Sequence, residues 1–201
     1  MSEEEYRRAF QNAVSAMMMR SDLFILAMIV KAARVVIRED MPTEGTDSRT
    51  IYLSPRFLTL SPQEQVFVLA HEAMHVARLD PIRADSYKKL RTRVDPITVH
   101  MLYNVIADAK VNTALQEMGI QVPPNRPMCN RLDKFGIKVS ENDCVQKSAE
   151  ELLDDLLSKN EIMPNLSGVQ DDLMEPKPEP DSPGKDGKKV IVVNEGDDSL
   201  T

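Results

Sequence analysis

Two histidines four residues apart flank an acid in the stretch His71-Glu72-Ala73-Met74-His75. On a helix, residues at this spacing lie one turn apart on the same face, so both imidazoles can reach one point. Neutral imidazole nitrogen is a good ligand for Zn2+, and the intervening Glu72 is placed to act as general base on a water at that metal. Only three histidines occur in the chain, and two of them fall in this pattern. The spacing identifies a metal site more strongly than it identifies a reaction.

A catalytic zinc site takes three protein ligands and keeps one position open for water. The third is sought on a later segment where His100, Asn104, Asp108 and Asn112 recur every four residues. On an otherwise apolar helix this polar line either faces solvent or faces something polar inside. Lys110 and Glu117 lie off the line, which leaves it free to point inward. Its single carboxylate makes Asp108 the expected third ligand, with Asn104 and Asn112 holding that carboxylate or an imidazole in place. Asp80 is the competitor closest to His75. Reaching back would require a sharp reversal, and Val76-Ala77-Arg78-Leu79 contains no glycine to make one. Asp95 reads more simply as a helix cap. His100 reads first as a buried histidine, although a ligand role stays open. His100 and Tyr103 are also the candidates for stabilising an oxyanion or contacting substrate.

These residues need elements to carry them. Ser2 and Glu5 form a capping box for a helix over Glu3 to Arg20, and Ser21 or Asp22 can cap a second through about Glu39. After a loop at Pro42, Gly45 and Asp47, Arg49 to Leu53 reads as a short strand stopped by Ser54-Pro55. Its edge around Ile51 to Leu53 would suit an extended peptide. Ser61-Pro62-Gln63-Glu64 is a full helix start, and the helix that follows carries the two histidines beside Val66, Leu69, Ala70, Ala73, Met74 and Ala77. Asp80-Pro81 is expected to end it, and Arg83 to Arg93 to be an exposed polar stretch, in part helical. Asp95-Pro96 opens the helix with the polar line, which runs to Met118 and stops at Gly119. Ser148 to Glu151 opens a last helix with Leu152, Leu153, Leu156 and Leu157 on one face. The expected architecture is α+β and mainly helical, with a small sheet, over residues 1–166. Residues 167–201, rich in proline and acid, read as a disordered tail or linker. Val190 to Val193 within that tail reads as the candidate first strand of a further domain.

The formal net charge of −7 is uneven. Residues 168–201 hold nine acids against four lysines, a contribution of −5, and leave the rest near neutral. No basic face for phosphate follows, which disfavours nucleic acid as a partner. The longest apolar run, Leu23 to Val30, is too short to cross a bilayer. The twelve methionines read as packing. Cys129 and Cys144 are expected to be reduced thiols. With an acidic N-terminus unlike a secretory leader, they point to the cytoplasm.

The segment Phe67 to Gly119, with VLAHEAMH followed by YNVIADAKVNTALQEMG, resembles the metallopeptidase domain that precedes von Willebrand A-like domains in bacterial and phage proteins. That family's pattern is H-E-x-x-H followed by an aromatic-Asn-x-x-x-Asp-x-x-x-Asn helix. The resemblance implies a zincin-like fold, zinc on His71, His75 and Asp108, Glu72 as catalytic acid and base, and a peptide or protein substrate. It extends more loosely to Ile51 to Pro55 and to Ser148 to Glu151. Many members carry a further histidine where Asp80 stands, and these 201 residues include no A-like domain. The C-terminal tail is then the expected attachment for a partner domain or protein. The competing expectation is a catalytically silent, metal-stabilised protein-interaction module.

Overall fold

The computed structural model describes residues 2–91, 94–159, 190–194 and 196. Most of the expected tail, 167–189 with 195 and 197–201, lies outside the described residues, as do Thr92 and Arg93. The described residues group into two units, one running to Pro81 and including 190–196, the other from Ile82 onward. The architecture is mainly helical α+β with one mixed four-stranded sheet.

In the first unit, helix α1 (Glu3–Met18) starts at the expected capping box, with Ser2 and Glu5 bonding each other's backbone N–H. It buries Tyr6, Phe10, Ala13, Val14 and Met17, a repeat of three and four residues. Helix α2 (Phe24–Ala32) is shorter than expected. Ala33 turns extended, and Arg34–Arg38 forms strand β1 instead of continuing the helix to Glu39. The run Val35-Val36-Ile37 is β-branched and pairs on both sides, which outweighs its fit to a helical face. Strand β2 (Gly45–Thr46) and strand β3 (Thr50–Leu53) form a tight antiparallel pair. Asp47 closes their turn by accepting from the Arg49 and Thr50 N–H groups at 2.9 and 2.7 Å, while the Tyr52 hydroxyl donates to its other oxygen at 2.8 Å.

Strand β3 runs parallel to β1, with Val36 opposite Tyr52 and Ile37 opposite Leu53. The sheet order, with β4 (Val190–Asn194) last, is β2-β3-β1-β4. Strand β3 is therefore an inner strand, not the free edge expected at Ile51 to Leu53. Gly45 and Thr46 already occupy the positions beside Tyr52 and Ile51. The Val190 to Val193 run corrects another expectation. It joins this sheet, pairing antiparallel with β1, Ile191 opposite Ile37 and Val192 opposite Val36. Both of its neighbours in alternation, Ile191 and Val193, are buried.

The first unit's last helix is α3 (Pro62–Arg78), which begins at the Ser61–Glu64 capping box and packs against α1 and α2. Helix α4 (Asp80–Leu90) begins in the first unit and continues in the second from Ile82, and the second unit also holds α5 (Pro96–Glu117), α6 (Glu141–Gln146) and α7 (Ala149–Lys159). The stretch expected to be exposed and in part helical is largely helix α4, and the correction lies in its burial, with Ala84 and Tyr87 inside. Its cations are neutralised locally: Arg83 pairs with Glu150, Arg91 with Asp154, and both Lys88 and Lys89 with Asp85. Helix α5 keeps its expected start, Asp95 accepting from the Thr98 N–H at 2.8 Å, and its expected stop at Gly119 with φ 73°. Leu102, Val105, Ile106, Ala109 and Leu115 are fully buried along it. Cys129 and Cys144 are joined in a disulfide, not reduced as expected. The 3₁₀ segment Cys129–Phe135 packs on α6 and brings the two Cα atoms to 5.4 Å, within bridging range. Among the described residues no helix is long and apolar enough to cross a membrane.

Candidate metal centre

Helix α3 is buried almost all round at its middle. Phe67, Val68, Leu69, Ala70 and Ala73 form the packed face, whereas Met74 is half-buried and Ala77 exposed, so the face is turned from the one expected. A helix enclosed this way also buries its polar residues. His71 is 2% exposed, Glu72 1% and His75 0%. Burying such groups costs stability unless each finds partners. Gln65 donates to the Phe57 carbonyl at 3.0 Å and ties the preceding 3₁₀ turn (Pro55–Thr59) to the helix.

The two imidazoles meet as the four-residue spacing requires. Their Nε2 atoms stand 3.1 Å apart, with ring centroids 4.6 Å apart in an edge-on arrangement. Phe67, one turn before His71, lays its ring 5.6 Å from that imidazole. His75 turns its other nitrogen away, and Nδ1 lies 2.9 Å from Asp80 Oδ2. The reversal judged to need a glycine is made by Leu79, which adopts the left-handed conformation with φ 56° and ψ 32°. Its N–H bonds back to the His75 and Val76 carbonyls, ending α3. Asp80 is thereby brought to His75, but to the nitrogen opposite the one that meets His71. Sequence reasoning missed this contact because leucine carries no signal for a left-handed turn.

On α5 the polar line is buried from its second member onward. Asn104 and Asp108 are 1% exposed and Asn112 0%, while His100 is half-buried. The Asn112 amide donates to the Pro127 carbonyl at 3.0 Å, anchoring the proline-rich loop after α5. Tyr103 is fully buried, and its hydroxyl donates to Glu150 Oε1 at 3.0 Å. Burial alone would raise the Glu150 carboxyl, but the Arg83 guanidinium at 2.9 Å and the Tyr103 proton together hold it below the usual carboxylate range.

His71, His75 and Asp108 form a buried group that could hold a metal ion, with one ligand atom from each residue and all three atoms within 4.8 Å of one another. The donor set fits a divalent cation of intermediate softness, since two neutral imidazoles and one carboxylate leave a net positive centre. The imidazole geometry fits as well. Two nitrogens at the usual zinc distance in a tetrahedron would stand roughly 3.3 Å apart, close to the 3.1 Å found. Asp80 Oδ2 stands as an acceptor beside His75 Nδ1, and a proton on Nδ1 is the tautomer that leaves the Nε2 lone pair for a metal.

Comparison with known proteins adds a family and nothing more specific. No curated protein and no solved structure matches the chain. One family model, described as "Putative metallopeptidase domain", matches residues 5–194 and so spans the helix with the two histidines, the helix with Asp108 and the strand Val190–Asn194. With a buried group able to hold a metal and a match over nearly its whole length, the chain belongs to this metallopeptidase-domain family.

Proposed function

We propose that the chain is a zinc-dependent metallopeptidase of zincin type, with zinc held by His71, His75 and Asp108 and with Glu72 as the general base. The observation that carries this reading is the buried trio of ligand atoms on two helices, with the acid of the histidine motif in the same enclosed stretch of α3. Zinc in such a site supplies a Lewis acid and brings water toward deprotonation near neutral pH. Glu72 takes the proton of the attacking water and delivers it to the leaving amine. Its burial, 1% exposed, keeps bulk water from competing for that proton. Asn104 and Asn112 stiffen the stretch of α5 that carries Asp108, the latter by its bond to Pro127. His100 is the better-placed candidate for contacting the oxyanion or substrate, because the Tyr103 proton is already engaged by Glu150.

The substrate proposed is a peptide or protein chain. With β3 enclosed in the sheet, pairing by strand addition would have to use another edge, and β2 offers two residues. The competing reading, a silent metal-stabilised interaction module, is favoured by one observation. All three candidate ligands and Glu72 are at most 2% exposed.

The variant Glu72→Gln separates the two. We expect it to keep bound zinc while hydrolysis of fluorescein-labelled casein falls by about 10²–10⁴-fold. Equal hydrolysis by variant and wild type would contradict the role of Glu72. Zinc bound by both, with no cleavage by either, would favour the module.

A further inference from the structure

The contact between His75 and Asp80 is built, and its construction is informative. Asp80 opens α4, and an acid followed by proline at a helix start has an ordinary use at the surface, where it faces the free N–H groups of the first turn. Asp80 has a use inside the protein. It is 0% exposed, and its carboxylate is directed back onto the end of α3. Reaching that place requires Leu79 in the left-handed region, which is unfavourable for a leucine. A strained residue and a buried carboxylate are both unfavourable alone, and here each exists because of the other.

His75 and Arg78 both approach the carboxylate. Oδ2 lies 2.9 Å from His75 Nδ1 and 3.1 Å from Arg78 Nε. The guanidinium offsets the cost of a buried negative charge. The imidazole donates its Nδ1 proton, and a histidine with its proton fixed there has its lone pair at Nε2. That Nε2 is the atom 3.1 Å from His71 Nε2. Without a fixed acceptor at Nδ1 the neutral ring would divide between two tautomers, one of which points a proton at the metal position.

We propose that Asp80, held by Arg78, is a positioning residue that fixes the tautomer and ring orientation of His75 for metal binding. The inference rests on the metal reading above, but it concerns a residue outside the three proposed ligands. It also separates two roles that the sequence leaves merged: Asp80 serves the site from behind His75, and Asp108 serves it as a ligand.

The test uses the full chain in two arms. In the metal-free protein, ¹⁵N shifts of His75 are read by NMR. The wild type is expected to show a protonated Nδ1 and a bare Nε2, and Asp80→Ala a mixture of tautomers. In the second arm zinc affinity is measured by competition with a chromophoric chelator. Asp80→Ala is expected to bind about 10–100-fold more weakly than wild type. Asp80→Asn keeps the volume and one acceptor oxygen, so it should hold the tautomer and lose only part of the affinity. That graded order is not expected from a purely structural role, and Asp80→Asn carries the test where the alanine variant does not fold. Unchanged His75 shifts with zinc affinity within twofold of wild type in both variants would overturn the proposal. Failure of the wild type to bind zinc would instead defeat the metal reading, and the metal-free NMR arm would still decide whether Asp80 fixes the ring.

Discussion

At the scale of single residues, the site depends on where protons sit. His71 and His75 approach through Nε2 because one helical turn separates them, and the Nδ1 of His75 is engaged by Asp80. Leu79 makes the second contact available, and its conformation has a measurable consequence. A β-branched residue fits the left-handed region worse than leucine, and glycine fits it without strain. Leu79→Val should therefore destabilise the chain by about 1–2 kcal/mol, while Leu79→Gly should stay close to wild type in urea denaturation. If side-chain packing governed this position the order would reverse, since valine preserves more apolar surface than glycine. Leu79 is 49% exposed, which leaves little packing to lose. The histidine motif was legible because its chemistry and its spacing coincide in five consecutive residues. The Asp80 contact was not, because it depends on a backbone conformation that the residue type disfavours.

At the scale of elements, helix starts read directly from sequence, and strands only in part: β3 and β4 fall on the runs read as strands, but their pairing does not follow from those runs. Ser2 with Glu5, Ser61 with Glu64 and Ser148 with Glu151 all form the reciprocal bonds their spacing implies. Each is a local interaction, so local sequence suffices. Strand β1 is different. Its Val35-Val36-Ile37 fits a helical face equally well until β3 on one side and β4 on the other are known. Strand β4 is the extreme case, a short apolar run in polar surroundings whose partner lies more than 150 residues earlier. Gly196 follows β4 and passes close to the α2–β1 junction. A Cβ there would lie 2.7 Å from the Ala32 carbonyl oxygen and 2.9 Å from the Arg34 nitrogen, with φ at 83°. Gly196→Ala should cost roughly 2–4 kcal/mol and lower hydrogen-exchange protection along β4 first. Unchanged protection at Val192 and unchanged stability would show that β4 does not depend on this approach.

At the scale of the molecule, charge and cysteine chemistry carry different weight than composition suggested. Arg83 and Lys89 of α4 and the following Arg91 pair with Glu150 and Asp154 of α7 and with Asp85 of α4 itself. The Cys129–Cys144 bridge removes the thiol argument for a reducing compartment. Neither feature depends on the metal, whereas the proposed function depends on it wholly. The most direct test is metal analysis of the purified full chain beside Asp108→Ala. About one zinc per wild-type chain is expected, with most of it lost in Asp108→Ala because a three-ligand site is reduced to two. Absence of stoichiometric zinc from the wild type, or wild-type zinc content in Asp108→Ala, would contradict the site proposed on His71, His75 and Asp108.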